Sequence, residues 1–181
     1  MANKAGERRV VDQVFILLGG ALVVAFLGAG TLAGYGYHFA VSSVHDELAA
    51  QKVYFPQAGS ASFSPSEFPD LQQYAGQLVD NGPKAKAYAN GFIGRHLEKV
   101  AGGKTYSEVS ALSMADPTNQ QLQQQKATLF QGETLRGLLL GDGYAYWTFG
   151  QIALYASVAS FAAAGIMTIL VVLGLYHKSK L

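Results

Sequence analysis

The side chains with reactive chemistry sit in the middle of the chain: His45, Asp46, Glu47, His96, Glu98, Glu133 and Arg136. Imidazoles and carboxylates are the usual material of metal sites and of acid–base catalysis. Their spacing argues against both uses here. His45, Asp46 and Glu47 are consecutive, so on a helix they point in different directions. His96 and Glu98 are two apart and also diverge. There is no HExxH, no histidine pair at i, i+4 and no GxSxG nucleophile turn. The absence of cysteine removes disulfides, thiolate ligands and thiol nucleophiles. His96 lies four residues from both Phe92 and Val100, beside an apolar stripe, which is the place of a packed, hydrogen-bonded histidine. Glu133 and Arg136 are spaced to pair on a helix surface, or to offer Arg136 to a lipid phosphate or an opposing carboxylate. The pattern predicts no catalytic, cofactor-binding or metal-binding residues.

The elements around these residues are far more explicit. Val14–Phe39 and Trp147–Tyr176 contain no Asp, Glu, Lys or Arg. As helices rising about 1.5 Å per residue, both runs can cross a hydrocarbon core of roughly 30 Å. Lys4, Arg8 and Arg9 precede the first, and Lys178 and Lys180 follow the second. The inner flanks, 35–43 and 141–148, carry neither Lys nor Arg. This asymmetry places both termini in the cytoplasm and the middle section outside. The expected fold is an all-α membrane protein, a hairpin of two transmembrane helices with an extracytoplasmic helical domain inserted between them. Its parts are a cytoplasmic tail (1–13), the first span (14–39), the inserted domain (40–146), the second span (147–176) and a second cytoplasmic tail (177–181). The first apolar run is much longer than the roughly 7–15 residues of a signal peptide, so it is expected to stay as a membrane anchor. Two uncharged spans enclose no pore and carry no proton relay, which argues against a transporter acting as a monomer. A net charge of +1 provides no field for nucleic acid.

Within the spans, Gly30 and Gly34 form a GxxxG pattern, widened by Ala29 and Ala33, where a neighbouring helix can approach. Ala153, Ala156, Ser157, Ser160, Ala163 and Ala164 supply a matching small-residue strip. The helix-packing residues expected from this match are Gly30, Gly34, Ala156, Ser160 and Ala163, either against each other or against another protein. Tyr35, Tyr37, Tyr144, Tyr146 and Trp147 crowd the outer ends of the spans, as an aromatic belt at the headgroup layer does. Phe39 and His38 lie among them.

Inside the insert, the first helix is expected to continue to about Ala50. Val53–Gly82 contains Pro56, Pro65 and Pro69 and reads as extended chain, with a short helix near Asp70–Gln77 and with Tyr54, Phe55, Phe63 and Phe68 as its anchors. Pro83 opens a helix that Gly102 and Gly103 close. Gly91 and Gly94 inside it suggest the close passage of another backbone or a bound group. Thr105 and Glu108 make a capping box for a helix to about Ala115. Asp116-Pro117 marks the next start. That helix is expected to run to about Leu140, burying Leu122, Leu129, Phe130, Leu135, Leu138 and Leu139, with glutamines 120–125 on its solvated side. Gly141-Asp142-Gly143 reads as a break before the second span.

Two stretches, KAKAYANGFIGRHLEKVAGGKTYSEVSA (Lys84–Ala111) and LFQGETLRGLLLGDGYAYWTFGQIALYA (Leu129–Ala156), resemble a family of small actinobacterial membrane proteins with two spans and one extracytoplasmic helical insert. The family's function is not established, and some members carry an automatic label as aromatic ring-opening dioxygenases. Extradiol ring opening needs a non-haem iron held by histidines and a carboxylate. The insert offers only His45 and His96, so that label is set aside.

The reading that follows is a non-enzymatic accessory or scaffold subunit of a cytoplasmic-membrane complex, a respiratory assembly being one instance. Its partners would be the lipid bilayer and other membrane subunits, without nucleic acid and without a cofactor. The alternative is an extracytoplasmic ligand-binding module, sensor-like, that acts through a separate partner.

Overall fold

The computed structural model describes residues 2–180. Met1 and Leu181, at the ends of the two tails, and the side chains of residues 2–5 and of Glu7 in the N-terminal flank, Lys4 among them, lie outside the described part. Among the described residues the protein is helical, with one isolated antiparallel bridge and no strand. It divides into two compact units, Met1–Phe39 with Gly150–Leu181, and Ala40–Phe149. Two helical stretches are long and apolar enough to cross a membrane, Arg8–Ala50 and Gln120–Ser179.

The first unit consists of parts of two helices, α1 (Ala2–Ala50) and α6 (Tyr146–Ser179). The N-terminal flank, expected to be a polar tail, is helical from Ala2. Nothing interrupts the backbone bonding there, since the stretch lacks proline. The pair is antiparallel, and glycine notches set its register. The hydrogen side of Gly174 faces Ile16, Gly19 faces Val171, Gly30 faces the Phe161 ring, Gly34 faces Ser157 and Gly36 faces Ala153. Hydroxyls in these apolar helices bond to carbonyls: Thr31 to Leu27 O at 2.8 Å, Thr168 to Ala164 O at 2.8 Å and Ser157 to Gly30 O at 2.7 Å. A hydroxyl satisfied in this way tolerates apolar surroundings.

In the second unit, α1 ends at Ala50, where Lys52 takes the left-handed conformation at φ 54°. The chain then closes on itself: Phe55 N donates to Gln77 O (2.9 Å) and Val79 N to Val53 O (2.8 Å). This pins the proline-punctuated segment at both ends, and its only regular element is a 3-10 turn, Gln72–Tyr74. Phe55, Phe63 and Phe68 are fully buried, while Tyr54 stays exposed. Their rings pack with Tyr74, Tyr88 and Phe92 at centroid separations of 5.0–5.7 Å. Burial of Tyr88 pushes its phenol pKa up.

Asn81 caps α2 (Gly82–Lys86), its side chain accepting from Lys84 N, with Pro83 in the first turn. A π-helical segment, Ala87–Ile93, joins α2 to α3 (Gly94–Val100) without a break. Gly102 and Gly103, both at positive φ, end α3, and Gly103 N reaches back to Glu98 O at 2.7 Å, a Schellman closure. The neighbour at Gly91 is the side chain of Leu71, and at Gly94 the Arg136 guanidinium, rather than a passing backbone or a bound group.

The capping box opens α4 (Tyr106–Ala115), with both Thr105 and Glu108 bonds formed. Those bonds hold the Glu108 carboxyl below the usual range. The start of α5 (Gln120–Leu138) is capped by Asn119, not Asp116. Asp116 instead accepts from Thr118 Oγ1 (3.0 Å) in the turn that Pro117 makes. Gly141–Gly143 does not break the chain. A second π-helical segment, Leu139–Ala145, carries α5 straight into α6. Gly143 serves a close crossing instead, with Gly82 opposite. A Cβ on Gly143 would stand 3.0 Å from Ala85 Cβ, and one on Gly82 would stand 2.5 Å from Trp147 Cβ.

This crossing yields a stability test. Gly82→Ala drives a methyl into Trp147, an overpacking that costs about 1–3 kcal/mol. Gly137→Ala, on the same run of helix as Trp147 but with nothing within 4 Å, removes backbone entropy from the unfolded chain and should stabilise by about 0.5–1 kcal/mol. Thermal unfolding of the purified chain in mild detergent, followed by circular dichroism, should move in opposite directions for the two variants.

Candidate functional site

Of the reactive residues singled out by type, His45, His96, Glu133 and Arg136 have local partners, while Asp46, Glu47 and Glu98 make no side-chain hydrogen bond or ion pair among the described residues. His45 Nδ1 lies 3.1 Å from Asp80 O, across the mouth of the proline-punctuated segment. His96 Nδ1 lies 2.9 Å from Phe92 O, and its ring stacks on Phe68 (5.5 Å, 12°) and against Phe92 (4.5 Å). His96 is thus part of the aromatic core's edge. No three His, Asp or Glu side chains among the described residues are grouped so as to hold a metal ion.

Around His96 the charges form a clamp. Arg95 donates through both terminal nitrogens to Asp70, at 2.8 Å each, and through Nη1 to Glu67 O at 3.0 Å. Lys99 pairs with Glu67 at 2.6 Å, and Phe68 lies beneath both cations. The clamp holds residues 67–70 onto α3. Its hydrogen bonds keep the Asp70 and Glu67 carboxyls below their usual range and raise the Arg95 guanidinium.

Of the partners expected for Arg136, the structure shows the pair on its own helix. Its Nη1 bonds both Glu133 oxygens at 2.9 Å, and its Nη2 bonds Asn90 Oδ1 at 3.1 Å. The glutamines are not merely a solvated face either. Gln123 donates to Ser113 O (3.1 Å) and Gln125 to Val100 O (2.9 Å), tying α5 to α4 and to the end of α3.

The helix-packing candidates divide. Gly30 and Gly34 lie against α6, but they receive the Phe161 ring and the Ser157 hydroxyl rather than a strip of alanines. Ala156 is exposed, and Ser160 and Ala163 are half-buried; the buried small residues of α6 are Gly150, Ser157 and Ala164. The aromatic-belt candidates divide too. Tyr35 is exposed and stacks on Phe39, and Tyr37 is half-buried. Trp147 packs on the insert's core and stacks with Tyr144, whose hydroxyl accepts from Lys86 at 3.2 Å. That bond lowers the Tyr144 phenol pKa. Tyr146 remains exposed.

What the insert leaves open is apolar. Of the α5 residues expected to be buried, Leu129 and Leu139 are buried and Leu122 is partly so, whereas Phe130 (57 % exposed), Leu138 (55 %) and Leu135 are not. Thr134, between Phe130 and Leu138, spends its hydroxyl on Phe130 O (2.7 Å), leaving a weakly polar stripe. At its upper end Phe130 and Tyr106 face each other at 5.7 Å across a shallow dish floored by Ala127 and edged by Lys126. The pairing of Tyr106 with Phe130 depends on how α4 folds back on α5, and no local sequence signal reports it.

The clamp makes a pH prediction. A carboxylate whose folded pKa is depressed contributes stability above its unfolded pKa, near 3.9 for Asp, and loses it as pH falls through the folded value. Asp70 is well exposed, so the pair is worth less than about 1 kcal/mol. Asp70→Asn should lower the unfolding temperature slightly at pH 7 and leave it unchanged relative to wild type at pH 2–3. Compared with family models, with curated proteins and with solved structures, the chain matches none.

Proposed function

We propose that the chain is a non-enzymatic accessory subunit of a cytoplasmic-membrane complex, with both termini inside and residues 40–146 outside. A respiratory assembly would be one such complex. The observation that carries this reading is the uncovered apolar stripe on α5, Phe130 through Leu138, with its Tyr106–Phe130 dish. Soluble surfaces rarely leave an aromatic pair and two leucines along one helix open to water, and such a patch marks an interaction site. Aromatic residues in a shallow, weakly charged depression are also the usual anchors of protein interfaces.

The membrane part of the reading rests on α1 and α6. Their most apolar windows are only 6 % buried within the protein, unlike the core helix of a soluble fold. Phe15, Leu32, Phe149, Tyr155 and Ile166 point outward, and hydrocarbon is the solvent that accepts them. The cations Arg8, Arg9, Lys178 and Lys180 flank the far ends of these helices, which favours the cytoplasm for both termini.

Two measurements test this reading. In whole cells a membrane-impermeant thiol reagent should modify Ser62→Cys and Ser107→Cys but not Ser179→Cys; the chain has no cysteine of its own. The reverse labelling pattern overturns the orientation. Purification in mild detergent should bring down a membrane subunit at fixed stoichiometry, and Phe130→Asp should lose it at least tenfold while the chain stays folded. If no subunit accompanies the wild type, or if the variant retains its partner, the accessory reading fails.

A further inference from the structure

Within the apolar unit, α1 and α6 leave a groove of about 200 Å³ near the end of the pair that carries the chain's terminal cations. Gly19 and Gly174 open it, Phe15, Ile16, Leu170 and Val171 wall it, and Asp12 stands at its mouth. The space is smaller than the roughly 300–1,000 Å³ of a whole small-ligand site and suits a length of hydrocarbon chain. Its direction follows from the helix periods. Asp12, Ile16 and Gly19 succeed one another along one face of α1, and Gly174, Val171 and Met167 run back along α6. The apolar walls therefore lead from the charged end toward the middle of both spans.

One turn beyond the mouth, the same two faces carry cations. Arg8 stands four residues before Asp12, and Lys178 four after Gly174. Lys178 reaches across the pair, its Nζ 3.5 Å from Gln13 Oε1, which places it at the seam between the helices. Arg9 and Lys180 follow these two in the chain and are exposed. None of the four cations enters an ion pair among the described residues. Asp12 is the one carboxylate described at this end; its Oδ2 is shielded from water, lacks a donor and lies 3.9 Å from His177 Nε2. By sequence, Lys4 and Glu7 cancel, so the end is strongly positive. A cluster of about four or more Lys and Arg next to a span is the footprint of anionic lipid. The apolar groove leading away from the cations favours a lipid over a free phosphate.

We infer that the α1–α6 pair holds an anionic phospholipid at this end, its phosphate met by Arg8 and Lys178 with Arg9 and Lys180 around it, and part of an acyl chain in the groove. The inference rests on the membrane reading above, but not on the docking of a second subunit at Phe130. Reconstitution of the full chain into bilayers of equal phosphatidylglycerol and phosphatidylcholine tests it, followed by native mass spectrometry of the released protein. The wild type should retain one phosphatidylglycerol at least fivefold over phosphatidylcholine. Arg8→Gln combined with Lys178→Gln should bring that preference close to one, with the unfolding temperature little changed. Lys104→Gln combined with Lys126→Gln, which removes two cations of the insert, should leave it intact. Equal retention of both lipids by the wild type, or an undiminished preference in the Arg8 and Lys178 variant, overturns the inference. The groove has its own test. Phosphatidylglycerol with a photoreactive acyl chain should label Phe15 and Leu170 at least threefold above Leu17 and Leu173, their exposed sequence neighbours outside the groove. Even labelling of all four means ordinary solvation by the bilayer and overturns the inference as well. If the chain does not enter bilayers, the membrane reading and this inference fall together, whereas insertion with equal retention removes the inference alone.

Discussion

The insert depends on one close crossing, that of α2 over the π-helical segment leading into α6. Gly82 sits on Trp147 and Ala85 on Gly143, with Leu48 of α1 reaching the same glycine. Helices approach this near only where a side chain is missing, so the two glycines set the separation. Trp147 and Leu48 are thereby drawn onto the core built from Phe55, Phe63 and Phe68. The crossing also explains why Gly143 lies within a helix, whereas a Cβ on Gly141 would meet nothing within 4 Å. The helix-propensity cost of Gly143, about 1 kcal/mol in water, is offset by packing that no larger residue permits.

Both π-helical segments lie at this crossing or next to it. Ala87–Ile93 follows α2 directly, and Leu139–Ala145 contains Gly143. A wide turn adds a residue to the spiral and rotates everything beyond it. On the α5 side, that rotation falls between Leu138, where the stripe ends, and Tyr146, and residues on both sides of it line one groove of about 430 Å³ with Val44 and Leu48 of α1. One continuous helix therefore carries the apolar stripe into the groove, with Leu138 part of both and no loop between them.

How much of this was legible in the sequence varies with the range of the interaction. Local signals read correctly: the capping box at Thr105 and Glu108, Pro83 at a helix start, Gly102-Gly103 at a helix end and the reach of α1 to Ala50. Each is decided by backbone groups within a turn of the residue. Signals needing a distant partner misread. Gly141–Gly143 looked like a break because Ala85 is far away in sequence. Asp116 looked like a cap because Asp before Pro usually is one, whereas Asn119 holds that role. Gln123 and Gln125 looked idle because their acceptors, Ser113 O and Val100 O, are set by how α4 and α3 fold back.

The candidate site was legible in its residue types but not in its exposure. Periodicity marks Phe130 and Leu138 as an apolar face, and an apolar face needs cover. Nothing in the pattern says whether that cover is the chain itself or another molecule. The distribution of charge adds the missing information. The insert's arginines and several of its lysines are used internally: Arg95 and Lys99 fasten residues 67–70, Lys84 holds Asp80, and Arg136 ties Glu133 to Asn90. Few cations remain to steer a charged partner, so recognition at the α5 stripe must come from shape and apolar burial. A surface that uses its cations to fasten its own fold leaves the α5 stripe as its main uncovered feature.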